Sequence, residues 1–250
     1  MPRTTPILIL LGLGTALFIL LNRSAFNQDA QLRSVFRSNQ PRSLIPNQLV
    51  APQDGGQQPL GVTDEKKVPL EVFIMSKCPD ARDAFDLLIA PAFKKVQDLV
   101  DFKIEFIGRA TSDGLICMHG PTECLGNVVN ACAQKEYPSD KSMPFTHCLL
   151  DDYRNVPKED LLLRCAKENG LEFETINECA SDTSEEGGLE LVRGSFQRAS
   201  ELGVKRSATI RLAGEDWCTR DGGRWKDCKG TSDATIVDEF VRAVRNHAGA

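Results

Sequence analysis

From Pro69 to Met75 the chain reads P-L-E-V-F-I-M, apolar on both faces as a buried parallel strand is. Ser76-Lys77-Cys78-Pro79 interrupts that run. Ala81, Ala84, Leu88, Ala92, Val96 and Leu99 then recur at spacings of three and four, which predicts an amphipathic helix. Pro91 removes a backbone donor and crowds the preceding turn, so a kink is expected there. Phe102 to Ile107 (F-K-I-E-F-I) predicts a second strand, and the three elements make a right-handed βαβ unit. From Cys117 to Phe196 the periodicity is helical, with helices predicted over Glu123–Glu136, Lys158–Glu168 and Leu189–Leu202. After Gly203 a strand is predicted from Ala208 to Leu212. Trp217 to Cys228 has a hairpin pattern around Asp221-Gly222-Gly223. The stretch Ala234 to Asn246, with Ile236, Val237, Phe240, Val241 and Val244 apolar, predicts a closing helix.

The order β-α-β, helical stretch, β-β-α is that of a thioredoxin fold interrupted by a helical subdomain. The expected fold class is α/β, thioredoxin-like, with a disulfide-rich helical insertion over about residues 112–203 of a domain spanning 67–250.

Ahead of the domain, a short tail (1–6) precedes an uncharged apolar run, Ile7 to Leu21, flanked by Arg3 and by Asn22-Arg23. It reads as a secretory targeting segment. Ser24-Ala25 offers small residues for cleavage, but Arg23 lies three residues before the cut. A retained single-pass signal anchor is therefore preferred to a cleaved peptide. The run is short and suits a thin early-secretory membrane. Arg23, Arg33, Arg37 and Arg42 follow it, which by the positive-inside rule opposes a lumenal C-terminal part. The cysteines described next outweigh that rule. Residues 22–66, rich in Gln, Asn, Pro and Ser and free of cysteine, read as a disordered stem.

The chain has nine cysteines: Cys78, Cys117, Cys124, Cys132, Cys148, Cys165, Cys179, Cys218 and Cys228. Behind a secretory segment they imply a disulfide framework, and the odd count leaves at least one without an intramolecular partner. Eight cysteines allow 105 pairings in principle. One pairing follows from pattern, Cys218 with Cys228, symmetric about the hairpin turn. The net charge of −5, without a basic stripe, excludes a nucleic-acid binder.

Cys78 stands where the first strand ends and the first helix begins. The first-turn N–H groups there are unpaired and the helix dipole favours negative charge, so the position suits a thiolate nucleophile. Lys77 adds a positive neighbour, and Pro79 is at ease at the first helical position, where no donor is needed. The alternative is a buried structural cysteine. The local motif is Cys78-Pro79-Asp80-Ala81, and Ala81 stands where a dithiol site carries its second cysteine. A mixed disulfide with substrate then has no internal resolving thiol, and release calls for an external one such as glutathione. No bound cofactor is expected.

The second constellation is Cys117-Met118-His119-Gly120-Pro121-Thr122-Glu123-Cys124-Leu125-Gly126-Asn127, ending at Cys132. C-x-H-G-x-x-E-C-x-x-N-x-x-x-x-C resembles the signature of the gamma-interferon-inducible lysosomal thiol reductases, with every fixed position present. Cys148, Cys165, Thr175 to Ala180, Gly188 and Ala199 to Gly203 resemble later features of that family in order and spacing, so the likeness covers about Leu70 to Leu212. The resemblance implies a thioredoxin-like domain with a disulfide-laced insertion. It also implies reduction of disulfide-containing proteins in a secretory, endolysosomal or vacuolar lumen, or outside the cell if the leader is cleaved, with Cys78 as the attacking thiol. Cys117, Cys124 and Cys132 are then scaffold. Zinc held by Cys117, His119, Cys124 and Cys132 is the rival, disfavoured by irregular spacing and an oxidising compartment. His119 and Glu123 are read as capping or hydrogen-bonding groups of the insertion, and Asn127 as satisfying a loop backbone.

Two departures bear on activity. One is Ala81. The other is Arg206-Ser207-Ala208-Thr209 in the loop before the third strand, where thioredoxin folds place a cis-proline facing the active cysteine. A cis bond at Ala208 costs about 2.5–4 kcal/mol, so a trans bond is expected. Ser207 and Ala208 should then face Cys78 in an altered geometry, with Arg206 a possible source of positive charge. A monothiol oxidoreductase is the leading reading. The alternative is an inactive thioredoxin-like domain that binds cysteine-rich or unfolded clients. The hairpin with Trp217 and Trp225 lies outside the resemblance and reads as a satellite cluster.

Overall fold

The computed structural model describes residues 67–230 and 232–250. The expected anchor and stem lie outside the described residues. Among the described residues no helix is long and apolar enough to cross a membrane.

Strand β1 (Val68–Ile74) is apolar and β-branched, and six of its seven positions are buried. It pairs in parallel with β2 (Val100–Phe106), in register from Val68 opposite Val100 to Ile74 opposite Phe106. Helix α1 joins them as Pro79–Ala84, a π-helical stretch Phe85–Ile89, and Ala90–Val96. The disruption expected at Pro91 is therefore a π-helical stretch just ahead of it, where the ladder is re-phased before the residue that has no N–H to donate.

On its other side β1 pairs antiparallel with β5 (Thr209–Leu212), which pairs with β6 (Glu215–Arg220) and through it with β7 (Trp225–Lys226). The sheet order is β2-β1-β5-β6-β7. A parallel βαβ unit joined to an antiparallel ββα unit by its first strand is the thioredoxin-like arrangement, so the expected fold class holds. The closing helix, α7 (Ile236–Ala248), buries Ile236, Phe240, Val241 and Val244 and lies against α1.

Between β2 and β5 come a small hairpin, β3 (Arg109–Thr111) and β4 (Gly114–Ile116), and five helices: α2 (Pro121–Glu136), α3 (Ser139–Asp151), α4 (Glu159–Glu168), α5 (Phe173–Ser181) and α6 (Gly188–Glu201). Three of these helices match the expected ones within two residues. Helices α3 and α5 were not predicted: Pro144 interrupts the pattern of the first, and the second is only nine residues long. The insertion has its own apolar centre around Phe145, Leu149, Leu161, Leu162 and Ile176. Disulfides Cys132–Cys179 and Cys148–Cys165 tie α2 to α5 and α3 to α4.

Candidate active site

Cys78 is the N-cap of α1, with Pro79 at the first helical position. Its side chain is almost buried, at 8% exposure. The other eight cysteines form four disulfides: Cys117–Cys124, Cys132–Cys179, Cys148–Cys165 and Cys218–Cys228. Cys78 is the free one. These bridges consume the sulfurs of the rival zinc set, leaving no thiolate there to ligate metal. Ala81 is fully buried in the first turn of α1 and brings no polar group to the site.

Opposite Cys78 lies the loop before β5. The Cys78 thiol donates to the Ser207 carbonyl at 3.6 Å, and the Met75 N–H donates to Ser207 Oγ at 2.9 Å. Contrary to the sequence expectation, the Ser207–Ala208 peptide bond is cis. Both flanks of that bond are held. Ser207 Oγ is bound by Met75, the residue just past β1, and Ala208 exchanges two backbone hydrogen bonds with Arg220, N–H to carbonyl in each direction (3.0 and 2.8 Å). The partners across the sheet select the isomer, and local chain preference does not. Ser207 and Ala208 thus present to Cys78 the loop arrangement that the absence of proline had argued against.

The signature residues surround the other side of the Cys78 loop. Asn127 is fully buried, and its Oδ1 accepts the Ser76 N–H at 3.1 Å. Its Nδ2 points at Cys117 Sγ, 3.7 Å away. Ser76 Oγ donates to the Glu123 carbonyl at 3.0 Å, and the Lys77 N–H donates to Glu123 Oε2 at 3.4 Å. His119 closes the group: its N–H donates to Glu123 Oε1 at 3.2 Å and its Nδ1–H to Glu123 Oε2. Two signature-region glycines make this possible. Gly120 caps α2 with φ of +87°, a region that L side chains rarely adopt. At Gly126 a Cβ would stand 2.4 Å from Val156 and 2.6 Å from Ser76 Oγ, so only glycine lets α2 approach the loop this closely.

Asn127 therefore does satisfy a loop backbone, as expected. His119 and Glu123 do more than serve the insertion, because Glu123 bonds the loop that carries Cys78. The Lys77 ammonium donates to the carbonyls of Arg154 and Val156 at 2.9 and 2.6 Å. Burial pulls its pKa below the ordinary lysine value, and the nearby Lys158 adds to that, against the opposing pull of Glu123.

The hairpin that sequence reading set aside forms a further wall. Asp80 accepts the N–H groups of Gly222 and Gly223 at 2.9 and 2.8 Å. Arg220 reaches Asp83 on α1 at 3.4 Å and lies over the Trp225 ring. Arg206 pairs with Asp221 and Asp227 at 3.8 and 3.6 Å, which engages it within the hairpin. Nothing in the local pattern announced Arg220 or the Asp80 contact. On the surface, Asp86, His147 and Asp151 place ligand atoms within 4.8 Å of one another. The 2.6 Å hydrogen bond between His147 Nε2 and Asp86 Oδ1 accounts for that grouping.

A thioredoxin-like sheet with one free thiol at the start of its first helix, facing the loop before β5, defines a thioredoxin-like domain. The sequence model of the family described as gamma interferon inducible lysosomal thiol reductase (GILT) matches residues 69–169. The chain is 33% identical to GILT-like protein 1 of Drosophila melanogaster over 136 residues, covering 47% of this chain and 54% of that protein. It is 31% identical to the gamma-interferon-responsive lysosomal thiol protein of Arabidopsis thaliana over 122 residues, covering 45% and 48%. The chain spans about half the length of these curated relatives. Over that stretch the chain is therefore similar to GILT proteins. Among solved structures, BdbD from Bacillus subtilis is similar with a TM-score of 0.48 and 19% identity, over 76% of this chain and 92% of that one.

Proposed function

We propose that the protein is a monothiol thiol–disulfide oxidoreductase of the GILT type, acting on protein disulfides through Cys78. The observation that carries this reading is that Cys78 alone among nine cysteines is free, at a helix N-terminus and 3.6 Å from the Ser207 carbonyl. The Cys78 thiolate attacks one sulfur of a substrate disulfide. A Cys78–substrate disulfide forms and the other substrate sulfur leaves as a thiolate, which takes up a proton. Ala81 offers no thiol to break that bond. An external thiol such as glutathione attacks it, releasing the second substrate thiol and leaving Cys78 joined to the attacker. A second external thiol frees Cys78. Per substrate disulfide reduced, two external thiols are oxidised to one disulfide, and the electrons balance. The cysteine content supports an oxidising lumen as the compartment, with residues 7–21 as membrane anchor or leader.

The test is glutathione-dependent reduction of a protein disulfide by the full chain and by Cys78→Ser. Activity that disappears in the variant supports the reading. Equal activity in both, or a Cys78 that resists iodoacetamide up to about pH 9, where a free thiol is largely ionised, ends it.

A further inference from the structure

We propose that Glu123 is a positioning residue for the Cys78 thiol, acting through the Lys77 backbone, with His119 fixing the carboxylate. The proposal rests on the reading of Cys78 as the attacking thiol. Glu123 is fully buried, where a carboxylate is costly unless its oxygens are bonded. Both are bonded, but one bond runs 46 residues back to Lys77 and the Glu123 carbonyl receives Ser76 Oγ. A group needed only to stabilise the insertion would find its partners there, and an apolar residue would serve that purpose at less cost. Besides His119, the charged group facing this carboxylate is Lys77, itself faced by Lys158.

Thiol–disulfide exchange demands placement as well as reactivity. The attacking sulfur must approach along the axis of the disulfide it breaks. Lys77 is bonded directly to Cys78 in the chain, so its peptide orientation sets where the sulfur lies against the Ser207 carbonyl. With alanine at position 81, no second thiol in the motif compensates for a misplaced first one.

The experiment compares the full chain with Glu123→Ala, Glu123→Gln and a control, Glu105→Gln. Glu105 is another buried carboxylate, accepting from Ser195 on α6 and salt-bridged to Lys103 on β2 and Arg198 on α6. Two rates are read on Cys78 by mass spectrometry: formation of the mixed disulfide with glutathione disulfide, and alkylation by iodoacetamide. Unfolding curves and a disulfide map establish that each variant is folded. For Glu123→Ala the exchange rate should fall about tenfold or more, and alkylation much less, since a small alkylating agent tolerates misplacement. Glu123→Gln keeps one acceptor and should recover part of the exchange rate; it carries the test alone if the alanine variant does not fold. Glu105→Gln should lose stability without changing the ratio of the two rates. If both Glu123 variants exchange within about twofold of the unaltered chain, or the control shifts the ratio equally, the proposal fails and the proposed function stands. If Cys78 is inert in the unaltered chain, both fall.

Discussion

The loop bearing Cys78 is held by two regions of opposite character. On one side α2 presents buried Asn127 and Glu123 to Ser76 and Lys77, inside a helical insertion with its own apolar centre and three disulfides. On the other, the β6–β7 hairpin presents the exposed N–H groups of Gly222 and Gly223 to Asp80. Helix α2 falls within the part of the chain that matches the family model, and the hairpin falls beyond it. Buried polar contacts cost heavily when broken, while exposed ones exchange readily with water. The α2 side should therefore fix the loop, and the hairpin side should only trim it.

The cross-links give the largest test of that asymmetry. Cys132–Cys179 closes 47 residues and Cys218–Cys228 only 10. By the chain-entropy relation, replacing the first pair with alanine should cost about 4 kcal/mol and the second about 3 kcal/mol. Denaturant unfolding of the two double variants measures both. Equal losses would remove the distinction between the regions.

Next comes Asn127→Ala. It leaves the buried Ser76 N–H without an acceptor, and an unsatisfied buried donor costs about 1–3 kcal/mol. The loss should appear in unfolding, and hydrogen exchange at Ser76 should quicken. Full stability in the variant would mean that α2 does not anchor the loop.

Asp80→Asn probes the hairpin side. Asparagine keeps one acceptor and turns an NH2 group toward the other glycine amide. The contact is exposed, so unfolding should change by less than about 1 kcal/mol, while amide exchange at Gly222 and Gly223 rises. A destabilisation as large as that of Asn127→Ala would put the two regions on an equal footing.

The same asymmetry divides what the sequence revealed from what it hid. The β-α-β and β-β-α halves were legible from short apolar runs, a Gly-rich turn and helices with a 3.6-residue period, and Cys78 lies between strand and helix as the sequence indicates. The polar signature was visible as a pattern, but its target was not. Asn127 and Glu123 act on Ser76 and Lys77 across 51 and 46 residues, and no local periodicity encodes such a contact. The cis bond at Ala208 was misjudged for a related reason. Chain preference argues for trans, whereas the partners that hold the loop, Met75 just past β1 and Arg220 on β6, are distant in sequence. The Asp80–hairpin contact spans 142 residues and was equally invisible.

The smallest effect concerns Asp83, which joins α1 to Arg220 of the hairpin. Burial pushes its carboxyl upward, but hydrogen bonds from Arg82 and Arg220 outweigh that and hold its pKa below the ordinary aspartate value. A carboxylate whose folded pKa is depressed contributes stability above its unfolded pKa. That contribution fades as the pH falls through the unfolded value, near about 3.9, toward the folded one. Asp83→Asn should therefore be less stable than the unaltered chain at neutral pH, and the gap should close in acid. Arg82 is partly exposed, so screening keeps the neutral-pH gap under about 1 kcal/mol. Unfolding free energies of both proteins from about pH 7 down to about pH 2 measure it. A gap that persists undiminished at the acid end would mean that Asp83 acts through packing, and the hairpin would then be tied to α1 without help from this charge pair.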